Sequence, residues 1–182
     1  MEKILEQMDL LEGPKEKRIV KNVAAMMFSE HPEKYFKTTQ VDIVLFPEGL
    51  ENNPDRFIEV PVIKGPVPMM IRETLNYLRV NIVKERIQKP ADDEHSVKVF
   101  NYPYQALEEA VVNALYHRDY MQREPVEITV EPDNISILSY SGPDRSISME
   151  DINEAKALRS RRYRNRRLGD FLKELNLTEG RA

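Results

Sequence analysis

NYPYQALEEAVVNALYHRDY, residues 101–120, predicts one helix with two chemically different faces. At 3.6 residues per turn, Leu107, Val111 and Ala114 share one side, which is the expected core face. Glu109 and Asn113 lie within about 40° of one another on the opposite side. A carboxylate and a carboxamide one turn apart can hold a divalent cation, orient a water molecule or do no more than face solvent.

The sequence before this helix predicts a first lobe, residues 1–90, of helices on a small sheet. Apolar residues at helical spacing predict helices over residues 1–12, 16–28 and 67–87. Alternation of apolar and polar residues predicts a strand at 39–46, and 56–62 is a second strand candidate. Residues 88–96 are charged and poor in apolar side chains, so we expect a loop between two lobes.

A second lobe is expected over residues 97–182. Strands are predicted at 97–100, 126–130 and 135–138, and a last helix at 168–175. Ser148, followed by Glu150 and Asp151, is typical of a helix N-terminus. The expected fold class is therefore α+β, and the sequence leaves open whether the two lobes share one sheet.

Composition excludes several classes of protein. The chain has 182 residues, of which 41% are hydrophobic and 32% charged, as in an ordinary globular protein. No apolar run approaches the roughly 18 residues of a membrane helix, and the N-terminus lacks a signal-peptide pattern, so we expect a cytoplasmic protein without a membrane partner. The absence of Cys excludes disulfides and thiolate zinc sites, and three scattered His residues argue against a His-rich metal site.

The charge distribution is uneven. A formal net charge of −4 argues against a chain whose whole surface binds nucleic acid. Residues 159–167, RSRRYRNRR, nevertheless contain six arginines. Either this segment is solvated and pairs with acidic residues, or it binds phosphate groups. DNA is then the expected partner, with four candidate contacts: Arg161, Arg162, Arg166 and Arg167.

Nucleotide-binding motifs of two common kinds are absent, since neither GxxxxGK[ST] nor GxGxxG occurs. However, EEAVVNALYHRDY, residues 108–120, resembles the N-box helix of the GHKL ATPases, the superfamily of gyrase, MutL and the histidine kinases. Its HRDY ending is similar to the RecG-related ATPase domain of transcriptional regulators, which often follows a Schlafen AlbA-type domain. Residues 24–49 are similar to the segment between those two domains. ISILSYSGPDRSIS and RYRNRRLGDFLKELNLTEGRA are similar to the family's two glycine-box regions.

The resemblance implies an incomplete GHKL (Bergerat-type) sandwich in the second lobe and a site for ATP and Mg²⁺. In that family the residue at Glu109 is the general base, and the residue at Asn113 holds the metal. The resemblance also implies nucleotide contacts. Ser139 and Gly142 belong to the first glycine box, and Asp144 is a second candidate for contacting adenine. His117 lies beside the site, Arg164 and Asn165 face the phosphates or a neighbouring domain, and Gly180 begins the lid.

We therefore expect a fragment of an ATP-binding transcriptional regulator, in which nucleotide binding or slow hydrolysis is a conformational signal. Because the sequence stops where the lid begins, the isolated 182 residues are expected to bind nucleotide poorly. Ser139 stands where the family has a carboxylate or carboxamide, and a hydroxyl accepts the adenine amine only weakly. The alternative is therefore a degenerate domain that serves as a DNA-binding or protein-interaction module. A homo-oligomer is compatible with either function.

Overall fold

The computed structural model describes residues 2–88, 97–142, 147, 148, 150, 153, 154 and 163–177. Helices are separated by groups of two or three strands along the chain, and the fold class is α+β, as predicted. A 3-10 turn covers Pro32–Lys34. The elements are α1 (Glu2–Gln7), β1 (Leu11–Glu12), β2 (Ile19–Val20), α2 (Asn22–Phe28), β3 (Gln40–Leu45), β4 (Ile58–Glu59), β5 (Ile63–Lys64), α3 (Val67–Asn81), β6 (Glu85–Gln88), β7 (Val97–Phe100), α4 (Tyr104–His117), β8 (Val126–Val130), β9 (Ile135–Leu138) and α5 (Arg166–Glu174).

One mixed sheet connects the two lobes. Its strand order is β4-β3-β8-β9, and β5 lies beside β4 along the same edge of β3. β3 and β8 are parallel, with Val41 opposite Val126 and Leu45 opposite Val130, whereas the other pairs are antiparallel. The first and second lobes therefore share a single sheet, which answers the question that the sequence left open. β1–β2 and β6–β7 form two separate hairpins.

The core lies between this sheet and the helices α3 and α4. Alternate residues of β3 and β8 are buried, which is the period of two expected of strands with one covered face. α3 and α4 contribute apolar side chains at helical spacing to the same cluster. Its most deeply buried members include Val41, Ile43, Met70, Ile71, Leu78, Leu115, Val126 and Ile128. The interior of the protein is thus formed by residues from both lobes.

Three helix predictions were wrong in their extent. Only Glu2–Gln7 and Asn22–Phe28 are helical in the N-terminal region, because Leu11–Glu12 pairs with Ile19–Val20 as a hairpin. Gly13, with φ of 91°, supports the chain reversal between these strands. The hydrogen bonds of this hairpin replaced the helix that the apolar spacing predicted.

The third helix, α3, ends at Asn81 rather than near residue 87. The Asn101 carboxamide donates to the carbonyl of Ile82 at 2.9 Å and accepts from the amide of Lys84 at 2.6 Å. These contacts hold the chain in the non-helical path that leads into β6, which pairs with β7. Gln88, predicted to lie in a loop, is the last residue of β6, and residues 89–96 lie outside the described ranges.

Strand predictions were more accurate. β7, β8 and β9 have the predicted bounds, and β3 lies within the predicted strand. The candidate at 56–62 is reduced to the two residues of β4, because Pro61 cannot donate to a sheet ladder. The helix start predicted at Ser148 falls largely on residues that the structure does not describe. No helix in the described ranges has both the length and the apolar character needed to span a membrane.

Candidate functional site

The two faces of α4 have the burial that the sequence predicted. Leu107, Val111 and Ala114 are buried, while Glu109 and Asn113 are exposed. Among the described residues, no hydrogen bond or ion pair engages the side chain of Glu109 or Asn113. We call this exposed pair the α4 stripe. Its carboxylate and carboxamide are therefore available to a ligand.

The end of α4 is held by side chains from other parts of the chain. The last four carbonyls of a helix have no partner within the helix. In α4 each of these four carbonyls accepts a hydrogen bond from a side chain outside the helix. The bonds run from Ser139 Oγ to Ala114 O at 2.7 Å, from Tyr120 Oη to Leu115 O at 2.8 Å, from Asn165 Nδ2 to Tyr116 O at 2.7 Å and from Arg164 Nη1 to His117 O at 2.8 Å.

We call these four donors, Tyr120, Ser139, Arg164 and Asn165, the α4 clamp. They come from three segments: the loop after α4, the exit of β9 and the turn before α5. Asn165 makes a second bond, from Nδ2 to the carbonyl of Arg118 at 2.7 Å. Three predicted site residues, Ser139, Arg164 and Asn165, are thus brought together at α4, where they contact its backbone. The clamp fixes the helix that carries the α4 stripe.

An aromatic cluster joins α4 to α5 beside the clamp. The ring of Tyr116 is 4.3 Å from that of His117 and 6.1 Å from that of Tyr163, centroid to centroid. His117, predicted to lie beside the site, also stacks on Tyr163 at 6.2 Å. A Cβ atom at Gly169 of α5 would lie 2.5 to 2.7 Å from two Tyr116 ring carbons, so only glycine permits this approach. Burial raises the pKa of the Tyr116 hydroxyl.

Arg118 anchors the loop after α4 to the first lobe. Its side chain is fully buried, and Nη2 donates to the carbonyls of Thr38 at 2.8 Å and Glu124 at 2.6 Å. The guanidinium lies 5.1 Å from the ring centroid of Tyr120, which is also buried. Burial lowers the pKa of Arg118 and raises the pKa of Tyr120. Arg118 thus holds the loop after α4 against the first lobe.

The loop after β9 contains the remaining described candidates. Ser139 is half-buried, Ser141 has φ of 94° and Gly142 has φ of 60°, so the chain turns sharply here. A Cβ atom on Gly142 would meet no atom of the described residues within 4 Å. Asp144 and Gly180, both predicted nucleotide contacts, lie outside the described residues.

The residues present fit one type of magnesium site. Within the described ranges there is no group of three or more His, Cys, Asp or Glu residues that could enclose a metal ion. Mg²⁺, however, usually binds through one or two protein oxygens, several waters and substrate phosphates. The free carboxamide of Asn113 and the free carboxylate of Glu109, one turn apart, suit that arrangement.

A cleft of about 300 Å³ lies elsewhere, between the end of α1 and α5. No residue of α4 lines it. Arg167 crosses it, donating to the carbonyl of Met8 at 3.2 Å and lying 3.6 Å from Asp9 and 3.3 Å from Asp170. The pairing with acidic residues considered for the arginine-rich segment therefore holds for Arg167. The pKa of Asp9 is lowered mainly by its hydrogen bond with Lys21, with Arg167 adding to the effect.

Comparison with known proteins shows similarity of fold. No family model matches the chain, and no curated protein matches it. Among solved structures, the chain is similar to the DIP2311 protein from Corynebacterium diphtheriae, with a TM-score of 0.61 and 20% sequence identity. The similarity covers 98% of this chain and 33% of that protein, so the chain spans about one third of its length. At this identity, the likeness concerns the fold alone.

Proposed function

We propose that the α4 stripe is the catalytic edge of a site for ATP and Mg²⁺, and that nucleotide binding there is a conformational signal in a DNA-associated transcriptional regulator. The observation that supports this proposal is the contrast along α4. Glu109 and Asn113 are exposed and have no hydrogen-bond partner among the described residues, although four side chains from three segments hold the end of their helix. A rigid support for two free polar groups is what a catalytic pair requires.

Each residue of the stripe has a distinct role in this proposal. The amide oxygen of Asn113 is one ligand of Mg²⁺, whose chemistry when bound is to neutralise charge on the phosphate oxygens. The carboxylate of Glu109 accepts a proton from the attacking water, as a general base. Four residues of helix separate the two Cα atoms by about 6 Å along the axis, and this spacing leaves room for a water beside the metal ligand.

Base recognition is expected to be weak. Ser139 donates its proton to the carbonyl of Ala114, so only its oxygen lone pairs remain to accept from an adenine amine. A neutral hydroxyl is a weaker acceptor than a carboxylate. No described residue lies within 4 Å of a Cβ position at Gly142, so the described part of the site leaves room for a base beside this backbone. Affinity should therefore come mainly from the phosphates and Mg²⁺ rather than from the base.

The proposed conformational signal passes through the α4 clamp. Arg164 and Asn165 immediately precede α5 and are bonded to the end of α4, and Ser139 bonds the exit of β9 to the same turn. A nucleotide that occupies the α4 stripe and the loop after β9 would touch both sides of this junction. Its binding would then alter how α5 is held against α4.

Binding is best tested by nuclear magnetic resonance, which detects the weak affinity expected of a site with weak base recognition. Mn²⁺ with ATP should broaden amide signals around Asn113, and excess Mg²⁺ should restore them. Asn113→Ala should abolish the broadening, whereas Asn76→Ala on the exposed face of α3 should retain it. Absence of metal-dependent ATP binding at millimolar nucleotide would contradict the proposal.

Catalysis is tested separately from binding. Glu109→Ala should keep ATP binding but lose phosphate release, because it removes the base and leaves the metal ligand in place. Glu73→Ala, an exposed carboxylate on α3, is the matched control and should retain both. Equal turnover in the Glu109 and Glu73 variants would remove Glu109 from the proposed mechanism.

A second candidate function is a DNA-binding or interaction module without nucleotide binding. Arg166 supports it, since this residue is exposed within the arginine-rich segment, whereas Arg167 is already paired with acidic residues. DNA affinity should then fall when Arg161, Arg162 and Arg166 are replaced by Ala. Each lost phosphate contact should lower the salt slope by about 0.9. An unchanged affinity and slope would exclude this function for the segment.

A further inference from the structure

The two edges of the mixed sheet are built differently. The β4/β5 edge consists of two strands of two residues each, interrupted by Pro61 and carrying the charged residues Glu59 and Lys64. Short strands, proline and charge are the features that prevent an edge from pairing with another chain. The β9 edge lacks the proline and the charges, since its four residues, ISIL, form one continuous, uncharged strand that is rich in β-branched residues.

The backbone of β9 presents pairing groups at this edge. Glu131 donates its amide to the carbonyl of Asn134 at 2.9 Å, and Thr129 lies opposite Ser136 in the same antiparallel ladder. In such a ladder hydrogen-bonded pairs alternate with non-hydrogen-bonded ones, so the N–H and C=O groups of Ile135 and Ile137 point away from β8. No strand among the described residues pairs with β9 on that side.

We propose that the β9 edge is a homodimer interface, at which two copies of this chain pair their β9 strands antiparallel about a twofold axis. Within β9, one register pairs every outward group of both copies: Ile135 of one copy lies opposite Ile137 of the other, and the two Ser136 residues face each other at the axis. This register forms four backbone hydrogen bonds and joins the two sheets. It requires no residue from outside the chain.

Side chains favour the same register. Ile135 and Ile137 are half-buried on the helix-covered face, so the pairing places an isoleucine beside an isoleucine twice, and such β-branched cross-strand pairs stabilise sheets. On the opposite face of the sheet, Ser136 lies opposite Ser136 of the other copy. Leu138, which is 48% exposed, lies opposite the neutral Asn134. No charge opposes another charge anywhere along the strand. A self-complementary, uncharged edge is what an isologous contact needs.

The dimer is expected to be weak, because a four-residue strand pair buries less than a standard interface. A dissociation constant on the order of 100 μM corresponds to about 5.5 kcal/mol and is measurable by sedimentation equilibrium. The monomer mass is 21.3 kDa, so the average mass should rise from that value towards twice it with increasing concentration.

Ser136 offers a test of both the interface and its register. Ser136→Lys and Ser136→Glu each place two like charges opposite one another at the axis, and each should weaken dimerisation by up to about fivefold. An equimolar mixture of the two variants should restore it, because lysine then faces glutamate. Asn76→Lys, the same added charge on the exposed face of α3, should leave the dimer unchanged.

Sedimentation of the wild type, the two Ser136 variants and their mixture distinguishes the proposed dimer from the alternatives. The β9 dimer in this register is supported if the average mass rises with concentration, rises less in the Ser136→Lys variant, and recovers in the mixture. A wild-type protein that stays monomeric to millimolar concentration overturns the proposal. So does a dimer that ignores both Ser136 variants, since another surface would then hold it. A dimer that both variants weaken but the mixture does not recover overturns the proposed register. Ser136 is exposed, so circular dichroism should show that both variants retain the fold.

Discussion

Replacing Asn165 with alanine removes two hydrogen bonds from the end of α4 without removing a cap from α5. The carboxamide donates to the carbonyls of Tyr116 and Arg118, both at 2.7 Å. Asn165 occupies the N-cap position of α5, but its side chain makes no capping hydrogen bond there. The loss of stability in this variant therefore reports on the α4 clamp.

The magnitude follows from the two bonds. Each intramolecular hydrogen bond contributes about 0.5 to 1.5 kcal/mol net, and the half-buried position keeps water from fully replacing the lost donor, so we expect a loss of about 2 kcal/mol. In a chain of this length that loss corresponds to a Tm lower by about 4 to 8 °C. Urea unfolding followed by circular dichroism should show a lower midpoint with an unchanged slope.

Two further variants sharpen this test. Asn76→Ala, at an exposed position of α3, should change stability by no more than about 0.5 kcal/mol. Asn165→Asp keeps the shape but places carboxylate oxygens against two carbonyls, so it should destabilise more than alanine does. If Asn165→Ala unfolds within about 0.5 kcal/mol of the wild type, the reasoning about the clamp is refuted.

The remaining predictions concern neighbours of the clamp. Gly169→Ala should destabilise the protein by about 1 to 3 kcal/mol through a clash with the Tyr116 ring. Helix propensity alone predicts that this change stabilises the protein, so the sign of the Tm shift decides between the two effects. Arg118→Ala should cost about 3 kcal/mol in urea unfolding, because two carbonyls lose a buried donor. Tyr120→Phe should cost about 1 kcal/mol at neutral pH, since the bond to Leu115 is lost. Burial raises the pKa of Tyr120 above its ordinary value of 10.0, so its contribution to stability is complete below that pH and is lost as the pH rises beyond it. The phenylalanine variant should lack this alkaline component when urea midpoints are compared between about pH 8 and about pH 11. Identical alkaline curves for the two proteins would show that Tyr120 does not titrate on unfolding.

Local sequence patterns predicted the elements whose burial follows a simple period. The alternation in QVDIVL and VEITV predicted β3 and β8, and the 3.6-residue spacing of Leu107, Val111 and Ala114 predicted the buried face of α4. The exposure of Glu109 and Asn113 followed from the same spacing. The α+β class followed from these elements together. Each of these features depends on residues close together in the chain.

Helix and strand limits that depend on pairing with another segment were not predictable in this way. The start of α2 and the end of α3 were missed because the β1–β2 and β6–β7 hairpins compete with local helix formation. β5 was missed because the predicted strand 56–62 ended before Ile63 and Lys64, which pair with β3. In each case hydrogen bonds between separate segments outweighed local propensity.

The sequence by itself determined that one helix carries a carboxylate and a carboxamide on its solvent side, because helical spacing alone places them there. Only the tertiary structure decided what the polar residues around them do. Tyr120, Ser139, Arg164 and Asn165 donate to the last carbonyls of α4, which lack partners within the helix. Such pairings join residues up to 49 positions apart, and no local pattern encodes them.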